Sequence, residues 1–165
     1  MATPILICDD SSFARKQMAR ALPKEWDVSI TYAENGEEGV KAIREGKGEV
    51  VFLDLTMPVM DGYGALEIIK AEDLPAMVLV VSGDIQPEAH RRVMALGALA
   101  FIEKPVIPHD LIKLLNTYGL YNVPSKSTIK QEVHETHAEV PSGISSAPVH
   151  SAVNYNGHVA EIPAN

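Results

Sequence analysis

Cysteine, aromatic residues and long apolar runs are all scarce in this chain of 165 residues. A single cysteine, Cys8, excludes an intrachain disulfide and is typical of a reducing compartment. Every apolar run is shorter than the roughly 20 residues that cross a bilayer, and the N-terminus lacks the pattern of a signal peptide. The net charge of −8 argues against non-specific binding to nucleic acid or anionic membranes. We therefore expect a cytoplasmic protein that binds neither directly.

Short apolar runs alternate with helical patterns along the first 120 residues. Continuous apolar runs are typical of strands buried on both faces of a sheet, and alternating ones of half-buried strands. Strands are predicted at 4–8, 28–32, 50–53, 77–81 and 99–102. Helices are predicted over 13–22, 37–45, around 66–70, and over 87–96 and 109–118. Asn35-Gly36 is predicted to form a turn. This alternation predicts an α/β fold, a doubly wound five-stranded parallel sheet with helices on both faces.

The composition changes after residue 120. Residues 121–165 contain no Leu, Phe, Trp, Met, Arg or Asp and sustain no helical or strand periodicity. A segment poor in large apolar side chains buries too little surface to offset the entropy lost on ordering. We therefore expect a domain over 1–120, followed over 121–165 by a flexible tail or by a linker to an output domain.

Polar side chains follow four of the predicted strands, at the point where each strand ends. Asp9 and Asp10 follow the first strand, Asp54 the third, Ser82 the fourth and Lys104 the fifth. The carboxyl ends of parallel strands meet at one edge of a sheet, where such folds carry their functional groups. We therefore expect these side chains to share one site.

Such a grouping predicts a specific chemistry. Close carboxylates repel one another by about 4 kcal/mol per pair at an effective dielectric of 20, so the cluster requires a cation. Oxygen ligands of this kind suit Mg²⁺, and also Mn²⁺, and a bound Mg²⁺ recruits phosphoryl oxygens. A carboxylate beside the metal can then act as a nucleophile and form an acyl phosphate, while a lysine balances the charge on the transferring group.

Four motifs carry a family resemblance over about residues 3–119. They are Ile-Cys-Asp9-Asp10-Ser, Asp54-Leu-Thr-Met57-Pro58-Val-Met60-Asp61-Gly62, Val81-Ser82-Gly83 and Phe101-Ile-Glu-Lys104-Pro105. With these motifs the chain resembles the response-regulator receiver domains of two-component signalling, close to the chemotaxis type. The resemblance implies a flavodoxin-like fold with strand order 2-1-3-4-5, and a cis peptide bond at Lys104-Pro105.

The resemblance also implies a role for each residue of the site. Asp54 is expected to be the phosphoacceptor, with Lys104 pairing first with its carboxylate and then with its phosphate. Asp10 would bind Mg²⁺ directly, Asp9 would act mainly through water, and the backbone carbonyl of Thr56 would complete the protein ligands.

A phosphorylation switch follows from the same resemblance. Ser82 would supply the switch hydroxyl, and Phe101 would change rotamer with it. The surface formed by the fourth helix, fifth strand and fifth helix would then change and regulate a protein target or an attached output domain. A sensor histidine kinase is the expected phosphodonor, and the expected state is a monomer or a dimer linked to phosphorylation.

The residues of this chain can be compared with the requirements of two other classes of function. A phosphohydrolase of the haloacid-dehalogenase kind also uses an Asp nucleophile, but requires an Asp-x-Asp pair after the first strand, where this chain has Asp9-Asp10-Ser11. A receiver-like module that binds partners without phosphorylation would lack the acceptor or the lysine, and this chain has both. The sequence therefore favours a signalling phosphoacceptor over an enzyme, with at most slow self-phosphorylation and self-dephosphorylation.

Overall fold

The computed structural model of the protein describes residues 1–122. Its strands are β1 (Thr3–Cys8), β2 (Val28–Ala33), β3 (Val50–Leu53), β4 (Met77–Ser82) and β5 (Ala100–Glu103). Its helices are α1 (Ser12–Ala21), α2 (Gly36–Arg44), α3 (Gly62–Ala71), α4 (Pro87–Ala95) and α5 (Pro108–Thr117). Each predicted strand and helix is present, within a few residues of its expected bounds. Within residues 1–122, no helix is long and apolar enough to span a membrane.

The five strands form one parallel sheet with the order β2-β1-β3-β4-β5. This arrangement confirms the predicted doubly wound, flavodoxin-like fold. Strand β1 pairs with both β2 and β3, so that Cys8 lies opposite Ala33 on one side and Leu53 on the other. The residues that follow these strands, among them Asp9 and Asp54, consequently emerge at the same edge of the sheet.

Apolar clusters cover both faces of the sheet, as continuous apolar strands require. On one face Leu6 and Leu53 pack in a cluster that includes Leu66 of α3 and Val93 of α4. The opposite cluster joins β1 and β3 to helices α1 and α5. Cys8 is 1% exposed, as expected of a small core residue. Burial raises the pKa of its thiol to about 12, so the thiol is inert at neutral pH.

Side-chain caps fix where three of the helices begin. The Ser11 hydroxyl accepts a hydrogen bond from Ala14 N, the Asn35 side chain from Glu38 N and the Asp61 side chain from Gly64 N. The prediction of a turn at Asn35-Gly36 was wrong, since Asn35 caps α2 and Gly36 is its first residue.

The end of the described chain packs onto the domain. Tyr121 is 7% exposed, and its ring lies 5.6 Å from that of Trp26 between centroids. Of the segment 121–165, predicted to be a tail or linker, only Tyr121 and Asn122 are described, and the rest of that prediction lies outside the described residues. The Lys104-Pro105 peptide bond is cis, as the resemblance implied.

Candidate functional site

Three acids converge where β1 and β3 end. Asp54 N donates to the carbonyl of Cys8 (2.9 Å) and Asp9 N to that of Ala33 (3.1 Å), so backbone hydrogen bonds fix both positions. Asp9, Asp10 and Asp54 each offer a carboxylate oxygen within 4.8 Å of the others. Asp9 and Asp54 are only 6% and 7% exposed, whereas Asp10 is exposed. The structure thus brings together the carboxylates that the sequence predicted to meet.

Lys104 supplies the positive charge at this cluster. Its Nζ donates to Asp9 Oδ2 at 2.8 Å and to Asp54 Oδ1 at 3.1 Å, bridging the ends of β1 and β3. Its backbone N–H donates to the carbonyl of Ser82 at 2.9 Å, which anchors the loop after β5 to the end of β4. One ammonium therefore contacts two buried carboxylates while a third acid, Asp10, lies beside them.

Burial and the neighbouring charges shift the pKa values of both Asp54 and Lys104. Burial raises the pKa of Asp54, and the hydrogen bond and charge of Lys104 oppose the rise without cancelling it. Burial alone would lower the pKa of Lys104, but its contacts with Asp9 and Asp54 outweigh burial and raise that pKa. The lysine therefore remains charged, whereas ionised Asp54 carries a free-energy penalty that a further cation would relieve.

Replacing Lys104 with methionine is expected to destabilise the metal-free protein at pH 7. The change leaves two buried carboxylates without their shared donor, at a cost of about 1–3 kcal/mol. The loss is expected to shrink as the pH falls and Asp54 becomes protonated. Urea denaturation at pH 7 and at lower pH measures it. Lys47→Met, which breaks an exposed contact with Glu45, is the matched control and is expected to change little. Equal stability of Lys104→Met and wild type at pH 7 would contradict the prediction.

The remaining predicted residues lie around the cluster. Ser82 is 3% exposed, and its hydroxyl accepts a hydrogen bond from Asp84 N at 3.1 Å. Thr56 is exposed and lies in the loop two residues after Asp54. Phe101 is partly buried, and its ring lies 5.4 Å from that of His90 on α4. The structure records no direct hydrogen bond among residues 1–122 between the Ser82 hydroxyl and Asp54.

A further charged pair lies beside the site, and no sequence pattern predicted it. Arg15 of α1 donates from Nη1 to the backbone carbonyl of Asp9 (2.7 Å) and from Nη2 to Glu34 Oε1 (2.9 Å). Its side chain is only 12% exposed. In the helical pattern of α1, Arg15 has the residue type of a solvated position, and its partners lie on other elements of the chain.

The donor set fits a hard divalent cation. Asp9, Asp10 and Asp54 offer only oxygen atoms, and their combined negative charge exceeds the positive charge of Lys104, which contacts Asp9 and Asp54. Mg²⁺ and Mn²⁺ prefer such ligands, and Mg²⁺ usually keeps several waters beside one or two carboxylates. The exposure of Asp10 leaves the cluster open to solvent on one side.

Residues 5–116 match the family described as response regulator receiver domain. The chain belongs to this family. The receiver domain is 34% identical over 116 residues to the chemotaxis protein CheY of Bacillus subtilis, covering 70% of this chain and 97% of that protein. The chain as a whole is 31% identical over 173 aligned residues to protein-glutamate methylesterase/protein-glutamine glutaminase 3 of Geobacter sulfurreducens, covering 97% of this chain and 46% of that protein.

Solved structures resemble the receiver domain in the same way. The response regulator domain of Thermotoga maritima CheB superposes with a TM-score of 0.64 at 24% identity, covering 74% of this chain and all of that domain, which shows the shared fold. A chain of the CheX-CheY-BeF3-Mg+2 complex from Borrelia burgdorferi superposes with a TM-score of 0.63 at 30% identity, covering 69% of this chain and 87% of that chain.

Membership of this family decides among the classes of function considered above. Residues 5–116 form a signalling receiver domain with a phosphoacceptor role, and the two alternatives, a dehalogenase-like hydrolase and a phosphorylation-independent module, are not favoured. The chain spans less than half the length of the methylesterase from Geobacter, and its match to the receiver family covers residues 5–116.

Proposed function

We propose that Asp54 is the phosphoacceptor and that Asp9, Asp10, Asp54 and the Thr56 carbonyl bind the Mg²⁺ on which phosphorylation depends. The observation that carries this proposal is the ammonium of Lys104, 3.1 Å from Asp54 and 2.8 Å from Asp9, within a cluster of three carboxylates. A nucleophilic carboxylate, a charge-balancing cation and oxygen ligands are what phosphoryl transfer requires. The solved relative named as a complex with BeF3 and Mg supports the metal.

In the proposed reaction, an oxygen of Asp54 attacks the phosphorus of a phosphohistidine on a sensor histidine kinase. The phosphorus–nitrogen bond breaks, a phosphorus–oxygen bond to Asp54 forms, and the imidazole departs. Mg²⁺ when bound would neutralise charge on the phosphoryl oxygens. Lys104 would contribute a second positive charge at the same point without needing to move far, because it already contacts Asp54.

The proposed output depends on Ser82 and Phe101. An aspartyl phosphate adds roughly −1.5 to −2 charge and strong acceptors. The Ser82 hydroxyl would leave the backbone N–H of Asp84 to donate to the phosphate, and Phe101 would turn inward. Because Phe101 packs against His90, its movement would change the surface formed by α4, β5 and α5. That two-state change would regulate a partner protein or an attached output domain.

The proposal also covers the cellular location, the phosphodonor and the oligomeric state of the protein. We place the protein in the cytoplasm, with a histidine kinase as donor, as a monomer or a dimer linked to phosphorylation. Direct contact with nucleic acid or membrane is not expected of a chain with a net charge of −8. Of the receiver domain we expect at most slow self-phosphorylation from small acyl phosphates and slow self-dephosphorylation.

The proposal is tested by incubating the full chain with a small acyl phosphate and MgCl₂. We expect the mass to rise by one phosphoryl group that is labile in base, and the modified peptide to contain Asp54. Chelation with EDTA is expected to prevent labelling, and MnCl₂ to restore it. Modification of Asp9 or Asp10 in place of Asp54, or labelling that persists in EDTA, would overturn the proposal.

A further inference from the structure

The guanidinium of Arg15 joins two loops beside the acid cluster. One of its nitrogens donates to the backbone carbonyl of Asp9 at 2.7 Å and the other to the carboxylate of Glu34 at 2.9 Å. The first loop carries Asp9 and Asp10 after β1, and the second runs from β2 to α2. A side chain that is 12% exposed and hydrogen-bonded through both terminal guanidinium nitrogens has little freedom to move.

Asp9 is consequently held at three points. Its Oδ1 accepts from Ser11 N at 2.9 Å, its Oδ2 from Lys104 Nζ at 2.8 Å and its carbonyl from Arg15. The carbonyl belongs to the peptide group that joins Asp9 to Asp10. A fixed peptide group restricts the directions in which the side chain of the exposed Asp10 can point.

The loop from β2 to α2 also contacts the loop that follows β3 and carries Asp54. Glu34 N donates to the carboxylate of Glu38 at 2.9 Å, and Gly36 N donates to the carbonyl of Met60 at 2.8 Å. Met60 lies in the loop that follows Asp54. Contacts through Arg15 and Gly36 therefore connect the loops that carry the three carboxylates.

We propose that Arg15 is a positioning residue, which holds the Asp9–Asp10 peptide group so that both carboxylates face Asp54 in a geometry that binds a divalent cation. This inference rests on the metal site of the proposed function and assigns to it a residue outside the ligand set. Groups that orient metal ligands typically change metal affinity 10- to 100-fold when they are replaced.

The direction in which Mn²⁺ affinity changes when Arg15 is replaced distinguishes a positioning role from a simple charge effect. Arg15 is a positive charge near a cation site, so by charge alone its removal would strengthen the binding of Mn²⁺. If Arg15 positions the ligands, its removal weakens binding. Arg15→Lys keeps the charge but cannot reproduce the two-pronged contact, so positioning predicts weaker binding there as well.

The test is a Mn²⁺ titration of the full chain, followed by electron paramagnetic resonance. We expect the dissociation constant to rise about 10-fold or more for Arg15→Gln and several-fold for Arg15→Lys. Lys16→Gln removes the same charge from an exposed neighbour on α1 and is expected to leave binding unchanged or slightly tighter. Urea denaturation without metal confirms that each variant is folded, and Arg15→Lys decides the question if Arg15→Gln does not fold.

Each outcome has a distinct meaning. Tighter Mn²⁺ binding by Arg15→Gln, or equal binding by Arg15→Lys and wild type, would overturn the positioning role while leaving the proposed phosphoacceptor intact. A wild-type protein that binds no Mn²⁺ would overturn the metal site and this inference together.

Discussion

Replacing Asp54 with asparagine is expected to abolish labelling of the protein by an acyl phosphate in the presence of Mg²⁺. The amide oxygen of asparagine is a poor nucleophile, and an amide cannot form the acyl phosphate that the proposed reaction yields. The neighbouring carboxylates of Asp9 and Asp10 remain, so the variant also shows whether proximity alone suffices for labelling. Intact-protein mass spectrometry measures the loss.

Asp73→Asn provides the matched control for this substitution. Asp73 is an exposed acid with a φ of 49°, and asparagine tolerates that left-handed conformation well. It makes the same chemical change outside the acid cluster and is expected to label like wild type. If the Asp54→Asn protein were labelled as fully as wild type, Asp54 would not be the phosphoacceptor.

The same Asp54→Asn variant is expected to be more stable than wild type at pH 7 in metal-free buffer. Burial raises the pKa of Asp54 above its ordinary value of 3.8, so ionisation of this carboxyl destabilises the folded state. The penalty is present above the raised pKa and disappears as the pH falls through it towards 3.8. The difference in unfolding free energy between variant and wild type should therefore narrow on acidification, as urea denaturation across that range would show.

Saturating Mg²⁺ should reverse this order of stability. A cation that binds only the folded wild type stabilises it by about 2.7 kcal/mol at a concentration 100 times its dissociation constant. Asp54→Asn lacks one of the three carboxylates and should gain less. If Mg²⁺ stabilised both proteins equally, Asp54 would not contribute to the metal site.

Strand ends made the central cluster predictable from sequence. Apolar runs that close on Asp9 and Asp54 indicate buried parallel strands, and parallel strands have only one edge at which to present the residues that follow them. The parallel sheet therefore predicts that these acids lie close to Lys104, although 95 residues separate Asp9 and Lys104 in the chain.

A role that depends on a particular contact partner could not be predicted from the sequence. Arg15 has the residue type of a solvated helix position, and only the packed structure reveals its two acceptors. Asn35-Gly36 matched a turn, but a Cβ added at Gly36 would lie 2.8 Å from the carbonyl oxygen of Met60. That glycine is required by the close approach of a loop distant in sequence, which no local pattern records.

The largest expected loss of stability comes from a second close backbone contact, in which Gly62 lies against Asp54 and Leu55. This first residue of α3 donates its backbone N–H to the carbonyl of Leu55 at 3.0 Å, which holds the helix against the end of β3. A Cβ added at Gly62 would overlap the carbonyl oxygen of Asp54 and lie 2.9 Å from Leu55 Cα. All of these atoms are backbone, so no side-chain rotation relieves the clash.

Gly62→Ala is therefore expected to destabilise the protein by about 2–4 kcal/mol, measured by urea denaturation. Gly64→Ala, two residues further along α3, is the matched control. Its added Cβ would approach the Met60 Cγ at 3.1 Å, and that flexible side chain can move. Alanine also favours a helix over glycine by up to about 1 kcal/mol, so Gly64→Ala is expected to change stability little or to increase it. If Gly62→Ala were as stable as Gly64→Ala, the backbone of Asp54 would be free to yield, and the rigid placement of that carboxylate beside Lys104 would have to be abandoned.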